Sequence, residues 1–129
     1  MATGLPAVTG DVLTAATFNG LITFTVGTAN TVDYTAVLAD QYQVLQIMNK
    51  ATAVAFKIPT DASVAFATGT AITVLSIGAG AVTISAVTPG TTTILSAGAV
   101  AASPTLAQYK SAVCIKTGTN AWYVVGGIA

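Results

Sequence analysis

Few side chains in this sequence can do acid, base or nucleophilic chemistry. There is no histidine among the 129 residues, which rules out the usual catalytic triads and zinc sites built from cysteine and histidine. Each aspartate lies beside turn or loop residues, where its carboxylate commonly accepts a hydrogen bond from nearby backbone. An oxygen-ligand calcium site stays open, although no D-x-D-x-D-G spacing occurs. We expect no enzyme activity, no metal site and no cofactor; the acids considered are Asp11, Asp33, Asp40 and Asp61.

The cysteine and the lysines point away from chemistry as well. Cys114 is the single cysteine, so no intrachain disulfide can form. It alternates with Ala112 and Lys116 on a predicted strand, and only lysine is available to activate it, so we expect an inert thiol. The four lysines are scattered and arginine is absent. A nucleic-acid partner is therefore not expected, because its main electrostatic attraction would be missing.

Charge is unusually scarce. Charged residues make up 6% of the chain and the formal net charge is zero, whereas ordinary domains have about 25% charged residues. The mean hydropathy of +0.79 would suit a membrane protein, but Thr, Ser, Gly and Pro interrupt every apolar stretch before it reaches the roughly 20 residues of a spanning helix. Residues 1–10 contain no basic residue, so no signal peptide is expected. Because neutral proteins tend to associate, the composition favours assembly over membrane insertion.

Period-two alternation predicts an all-β fold. The clearest strand places Val54, Phe56 and Ile58 on one face and ends at Pro59. Residues 78–80 and 118–120 each lie between two β-branched runs and predict hairpins. We therefore predict a compact antiparallel β-sandwich or jelly-roll-like domain over residues 21–129, preceded by a short arm over residues 1–20.

Two features indicate contacts with other chains. Residues 62–109 carry no charge, although edge strands normally use charge to prevent pairing with another chain. Either these strands lie inside a sheet or neighbouring subunits cover them, and we favour subunits. Trp122 and Tyr123 should lie on opposite faces of one strand, so that one is core and the other is a possible interface aromatic; the sequence leaves open which is which.

Several segments together resemble a β-module of tailed-phage virion proteins. The resemblance covers about residues 32–128 and is carried by YQVLQIMN at 42–49, FKIP at 56–59, GTAITV at 69–74, GAGAVTI at 78–84 and the closing segment NAWYVVGG at 120–127. Separately, GDVLTAATFN at 10–19 resembles the G-x-x-L-T-A-A-x-x-N segment near the N-termini of phage fibre and appendage proteins.

The resemblance implies a structural protein on the capsid surface of a virion. No shaft sequence follows the closing segment, which favours a capsid cement or decoration protein that stabilises the phage head. The family further implies a homotrimer, with the major capsid protein as partner. The alternative is a head or tail fibre or adaptor module that binds a receptor or glycan through loops near Tyr34, Asn49 or Asn120.

The arm is predicted to dock on the virion partner. It is too short for a core of its own, yet about half of its positions are apolar, which argues against permanent disorder. The opposing interpretation is that the arm folds back on its own domain. The residues assigned to docking are Leu5, Pro6, Val8, Val12, Leu13 and Phe18.

Overall fold

The fold is all-β, as predicted. The computed structural model describes residues 24–42, 44–96, 99–100 and 103–128. The strands are β1 (Thr25–Val26), β2 (Tyr34–Thr35), β3 (Val44–Met48), β4 (Val54–Ile58), β5 (Ala71–Ser76), β6 (Val82–Ala86), β7 (Thr93–Ser96), β8 (Ala99–Val100), β9 (Thr105–Leu106), β10 (Ser111–Gly118) and β11 (Ala121–Gly126). A short 3-10 helix, η1 (Leu38–Gln41), lies between β2 and β3. The arm, with the six residues predicted to dock, lies outside the described residues.

The strands form two sheets. The large sheet has the order β1-β3-β5-β10-β11-β7-β8, and the small sheet has the order β2-β4-β6-β9. Side chains alternate along the strands, so that one face of each sheet contributes to a shared core. In β4 the buried residues are Val54, Phe56 and Ile58, and in β11 they are Trp122 and Val124. These residues belong to one apolar cluster.

The first six strands wind through both sheets as a coil. β1, β3 and β5 pair in parallel in the large sheet, while β2, β4 and β6 pair in parallel in the small sheet. Each turn of the coil therefore contributes one strand to each sheet. The hairpin of β10 and β11 then extends the large sheet, since β10 pairs antiparallel with β5.

Two glycines allow successive corners of the coil to stack. The corner at 77–81, between β5 and β6, lies directly on the corner at 49–53, between β3 and β4. Backbone hydrogen bonds join the two, including Gly80 N–H to the Lys50 carbonyl at 2.9 Å. A Cβ added at Gly78 would lie 2.3 Å from the Lys50 nitrogen, and one at Gly80 would lie 1.9 Å from the Thr52 oxygen. Any side chain at these positions would push the corners apart.

The structure corrects two predictions. Antiparallel pairing throughout is wrong, because both sheets are mixed and five strand pairs among the described residues are parallel. The hairpin at 78–80 is also wrong, since β5 and β6 belong to different sheets; these glycines serve close backbone approach rather than a tight reversal. The segment 97–105 contains β8 and the start of β9. The hairpin around 118–120 is confirmed.

Replacing Gly80 by alanine should destabilise the protein by about 1–3 kcal/mol, because the new methyl group overlaps the backbone of the corner below it. Gly90 is the matched control: nothing lies within 4 Å of a Cβ added there, so Gly90→Ala should stay within about 0.5 kcal/mol of wild type. Urea unfolding of the three proteins measures both effects. Equal midpoints for the two variants would contradict the stacked corner.

Candidate functional site

The described aspartates all hold the fold together. Asp33 accepts a hydrogen bond from Ala55 N–H at 2.9 Å, and Asp40 accepts one from Val37 N–H at 2.9 Å. Asp61 accepts one from Asn120 N–H at 3.1 Å. Backbone donors were predicted for these carboxylates, but only the donor to Asp40 is a near neighbour in the sequence. Asp11 lies outside the described residues.

Asp40 anchors a buried polar cluster. Its carboxylate accepts hydrogen bonds from the Tyr34 hydroxyl at 2.8 Å and from Gln46 Nε2 at 2.6 Å. Burial, together with the hydrogen bond to Asp40, raises the pKa of the Tyr34 hydroxyl. Asn30 Nδ2 donates to Gln46 Oε1 at 3.1 Å and extends the cluster. These side chains satisfy one another, so the cluster ties η1 to β2 and β3.

Lys116 and Asp61 form the second polar cluster. The Lys116 ammonium is almost fully buried and lies 2.9 Å from Asp61 Oδ1; it also donates to the Phe66 carbonyl. Asp61 N–H in turn donates to Asn120 Oδ1 at 2.8 Å. The hydrogen bond from Lys116 is the main reason that the pKa of the Asp61 carboxyl is lowered. The cluster fastens the crossover at 59–70 to the β10–β11 hairpin.

Neither cluster has the composition of a reactive centre. Within the described residues, no group of three or more His, Cys, Asp or Glu side chains is placed to hold a metal ion. Cys114 is fully buried, and burial raises the pKa of its thiol to about 12. This agrees with the predicted inert thiol, because the nucleophilic species is the thiolate.

The two adjacent aromatics point in opposite directions, as predicted. Trp122 is 1% exposed and packs edge-on against Phe66, with ring centroids 5.5 Å apart. It is a core residue and is not available as an interface aromatic. Tyr123 is 44% exposed on the other side of β11, and therefore remains a candidate contact residue.

Tyr123 belongs to a broad surface without charge, on the side of the large sheet that faces away from the core. Strand pairing arranges this surface in rows, of which the longest runs Val26, Leu45, Thr73, Val113 and Val125 across five strands. The only charged residue in the strands of this sheet is Lys116, which points into the core. We call this surface the uncharged face; its principal side chains are Val26, Leu45, Ile47, Thr73, Leu75, Leu95, Val113, Ile115, Tyr123 and Val125.

The outward side of the small sheet is polar, in contrast to the uncharged face. Its outward positions are mostly hydroxyl side chains, joined by an exposed ion pair between Lys57 and Asp33 at 3.7 Å. This side of the molecule therefore resembles an ordinary solvent-facing sheet. The outward hydroxyl residues are Thr35, Thr83, Ser85 and Thr105.

Two explanations were offered for the charge-free stretch 62–109: its strands lie inside a sheet, or neighbouring subunits cover them. β5 and β6 are each paired on both sides, so their backbone edges need no cover from another subunit. Most side chains of the uncharged face lie outside that stretch, and the sequence did not single them out. A usable signal was present, because β10 carries apolar residues at both parities, as strands covered on both faces do.

The alternative interpretation, a receptor-binding module, assigned contacts to loops near three residues. Two of these residues make hydrogen bonds inside the molecule. Tyr34 binds Asp40, and the Asn120 side chain accepts a hydrogen bond from Asp61 N–H. Asn49 is exposed. Two of the three suggested loop positions therefore have their polar groups engaged internally.

Comparison with protein-family models, with curated proteins and with solved structures finds no match. Over the residues that the structure describes, no helix has the length and apolar character to cross a membrane.

The Lys116–Asp61 pair should make stability fall in acid. The pKa of Asp61 is lowered by folding, so its contribution is fully present above the ordinary aspartate value of about 3.9. It is lost as the pH drops below that value through the lowered pKa, because the unfolded chain then binds the proton more readily. Asp61→Asn should reduce this dependence when unfolding is followed from pH 6 downwards.

Lys116→Met tests the same pH dependence from the other side of the ion pair. It removes the ammonium that lowers the pKa of Asp61 while keeping most of the side-chain volume, so it should flatten the same part of the profile and cost about 1.5–3 kcal/mol at neutral pH. If both variants keep the wild-type slope below pH 4, the ion pair does not control the acid response.

Proposed function

We propose that this chain is a structural virion protein, a cement or decoration protein on the capsid surface that assembles as a homotrimer on the major capsid protein. The observation that carries the proposal is the uncharged face. A surface of this size without charge suits permanent burial in an assembly, because obligate interfaces resemble a domain core cut in half. The resemblance to the β-module of tailed-phage virion proteins supplies the setting.

A structural role also fits the use that the molecule makes of its polar groups. The carboxylates of Asp33, Asp40 and Asp61 each accept a backbone hydrogen bond. Two of the four lysines are in ion pairs. This distribution supports a protein whose work is done by packing, with no enzyme activity and with neither nucleic acid nor membrane as its partner.

The finer architecture belongs to the same proposal. The shared core between the sheets supports a sandwich, in which the small sheet faces solvent and the large sheet faces other protein. A jelly roll in the strict sense is antiparallel, so we propose a mixed sandwich built around the parallel coil.

The arm over residues 1–20 is proposed as the capsid-docking segment. It leads into a region rich in exposed apolar side chains: six of the ten large apolar residues that the described part of the chain exposes lie between residues 24 and 42. They are Phe24, Val26, Val32, Val37, Leu38 and Tyr42. Apolar residues in the sequence of the arm and exposed apolar side chains after residue 23 together support one attachment region.

Copy number in purified virions tests the proposed function directly. A cement protein on a symmetric shell should be present in hundreds of copies, whereas a fibre or adaptor should reach a few dozen at most, on the order expected from symmetric assembly. Quantitative mass spectrometry against the major capsid protein measures this ratio. A few dozen copies would favour the fibre alternative, and absence from virions would reject both.

Deleting residues 1–20 should abolish binding to shells that lack the protein, while oligomer formation and cooperative melting persist. Leu13→Asp combined with Phe18→Asp should act in the same way, because burial of each side chain contributes roughly 1.5–3 kcal/mol. Thr9→Asp combined with Thr17→Asp adds the same charge at polar positions of the arm and is the matched control. Unchanged binding by the truncated chain, measured by co-sedimentation with shells, would place docking on the β-domain.

A further inference from the structure

Tyr109 has a backbone conformation that tyrosine does not favour. Its φ of 66° lies in the left-handed region, and its N–H donates to the Ser76 carbonyl at 2.6 Å, which holds the turn in this shape. Among the described residues, Asn120 is the other non-glycine residue with a positive φ; asparagine tolerates this conformation, and its side chain accepts a hydrogen bond from Asp61 N–H.

The side chain of Tyr109 gives the fold nothing comparable in return. It is 76% exposed and does not belong to the apolar core. Glycine or asparagine would satisfy the backbone of this turn with less strain. Strained residues of this kind are typical of functional sites, where the side chain serves a contact outside the fold.

The turn that contains Tyr109, residues 107–110, lies beside the stacked corners. The Lys110 carbonyl accepts a hydrogen bond from Ser76 N–H at 3.0 Å, and Gly78, two residues further on, packs directly on the backbone of Lys50. Lys50 follows β3 and Lys110 precedes β10, with β5 between the two strands. Two strand spacings separate the lysine backbones, which is about 10 Å.

These two lysines are the ones that the ion pairs of the fold leave over. Lys57 and Lys116 are each paired with an aspartate, and the remaining described aspartate, Asp40, is buried in its own cluster. Within the described part of the chain, no carboxylate forms an ion pair with Lys50 or Lys110. The unpaired positive charge of the described residues therefore lies at one end of the molecule, beside an exposed tyrosine.

We infer that Tyr109, Lys50 and Lys110 form a contact surface for a protein partner that presents carboxylates. Tyrosine is among the residues that most often anchor protein interfaces, and flanking positive charge selects a partner surface of opposite sign. This inference deepens the proposed function and rests on it for its setting, in which the partner is an acidic patch on the capsid.

A phosphate-bearing partner fits this surface less well. Arginine, whose planar fork matches phosphate, is absent from the chain. Two lysines also provide few of the phosphate contacts on which nucleic-acid affinity depends. Carboxylates of a folded partner are therefore the better match, and the experiment includes nucleic acid as a competing probe.

Binding of a fluorescein-labelled oligoglutamate peptide to the full chain, followed by anisotropy, tests the charge. Lys50→Gln combined with Lys110→Gln should weaken binding at least about threefold, because each exposed ion pair contributes modestly. Lys57→Gln, on the small sheet, is the control and should leave binding unchanged at 0.15 M salt, where charges more than about 8 Å apart are largely screened. Equal binding by the double variant, or tighter binding of oligothymidylate than of oligoglutamate, would overturn the inference.

Tyr109→Asn tests whether the tyrosine serves the fold or a partner. Asparagine relieves the left-handed strain, so the urea midpoint should equal or exceed that of wild type, while oligoglutamate binding weakens at least about twofold through loss of the aromatic anchor. Tyr42→Asn, which removes another exposed tyrosine, is the matched control for binding. A clearly lower midpoint for Tyr109→Asn would make the residue structural and overturn the inference, as would unchanged binding.

The inference and the proposed function fail separately. A chain that binds oligoglutamate through these three residues but is absent from virions would support the contact surface and reject the virion setting. A chain abundant in virions that does not bind oligoglutamate would keep the virion role and overturn the contact surface.

Discussion

The close stacking of two backbone corners is the constraint on which the architecture depends. The corner at 77–81 can lie on the corner at 49–53 because Gly78 and Gly80 have no Cβ. Hydrogen bonds across the corners continue the ladders of both sheets. The parallel register of β5 on β3 and of β6 on β4 is thereby set together, and this register decides which side chains face the core and which form the uncharged face.

Because the chain has few charged residues, the position of each one matters. The pair of Lys116 and Asp61 holds a crossover against the β10–β11 hairpin. Asp40 lies in the buried cluster around Gln46. Little charge is left for the surface, and the small sheet holds the exposed pair of Lys57 and Asp33. The large sheet consequently lacks the charged side chains that normally keep a sheet soluble and unpaired.

The sequence predicted which side of a strand a residue occupies better than it predicted which strands lie side by side. The buried face of the strand Val54–Ile58 and its end before Pro59 were predicted, and so were the opposite orientations of Trp122 and Tyr123, because alternation fixes which side of a strand a residue occupies. Alternation does not say which strand lies alongside, so the parallel coil was missed. The corner glycines were misread as a hairpin, since sequence alone cannot distinguish glycine needed for a tight reversal from glycine needed for close packing. The uncharged face was missed as well, although apolar residues at both parities of β10 are a pattern typical of strands that are covered on both faces.

The two sheets differ in the side chains that they present on their outward sides. Hydroxyl side chains and an ion pair lie on the outward side of the small sheet, whereas mostly aliphatic side chains line the outward side of the large one. Because the rows are set by strand register, a partner that packs on them meets a rigid pattern held in place by the core beneath. Orientation between copies would then come from the shape of the rows. Attraction would come from removal of apolar surface from water, which is non-directional and roughly proportional to area. In the proposed assembly, the uncharged face would supply strength, and the fixed register of the coil would supply the specificity that charge otherwise provides.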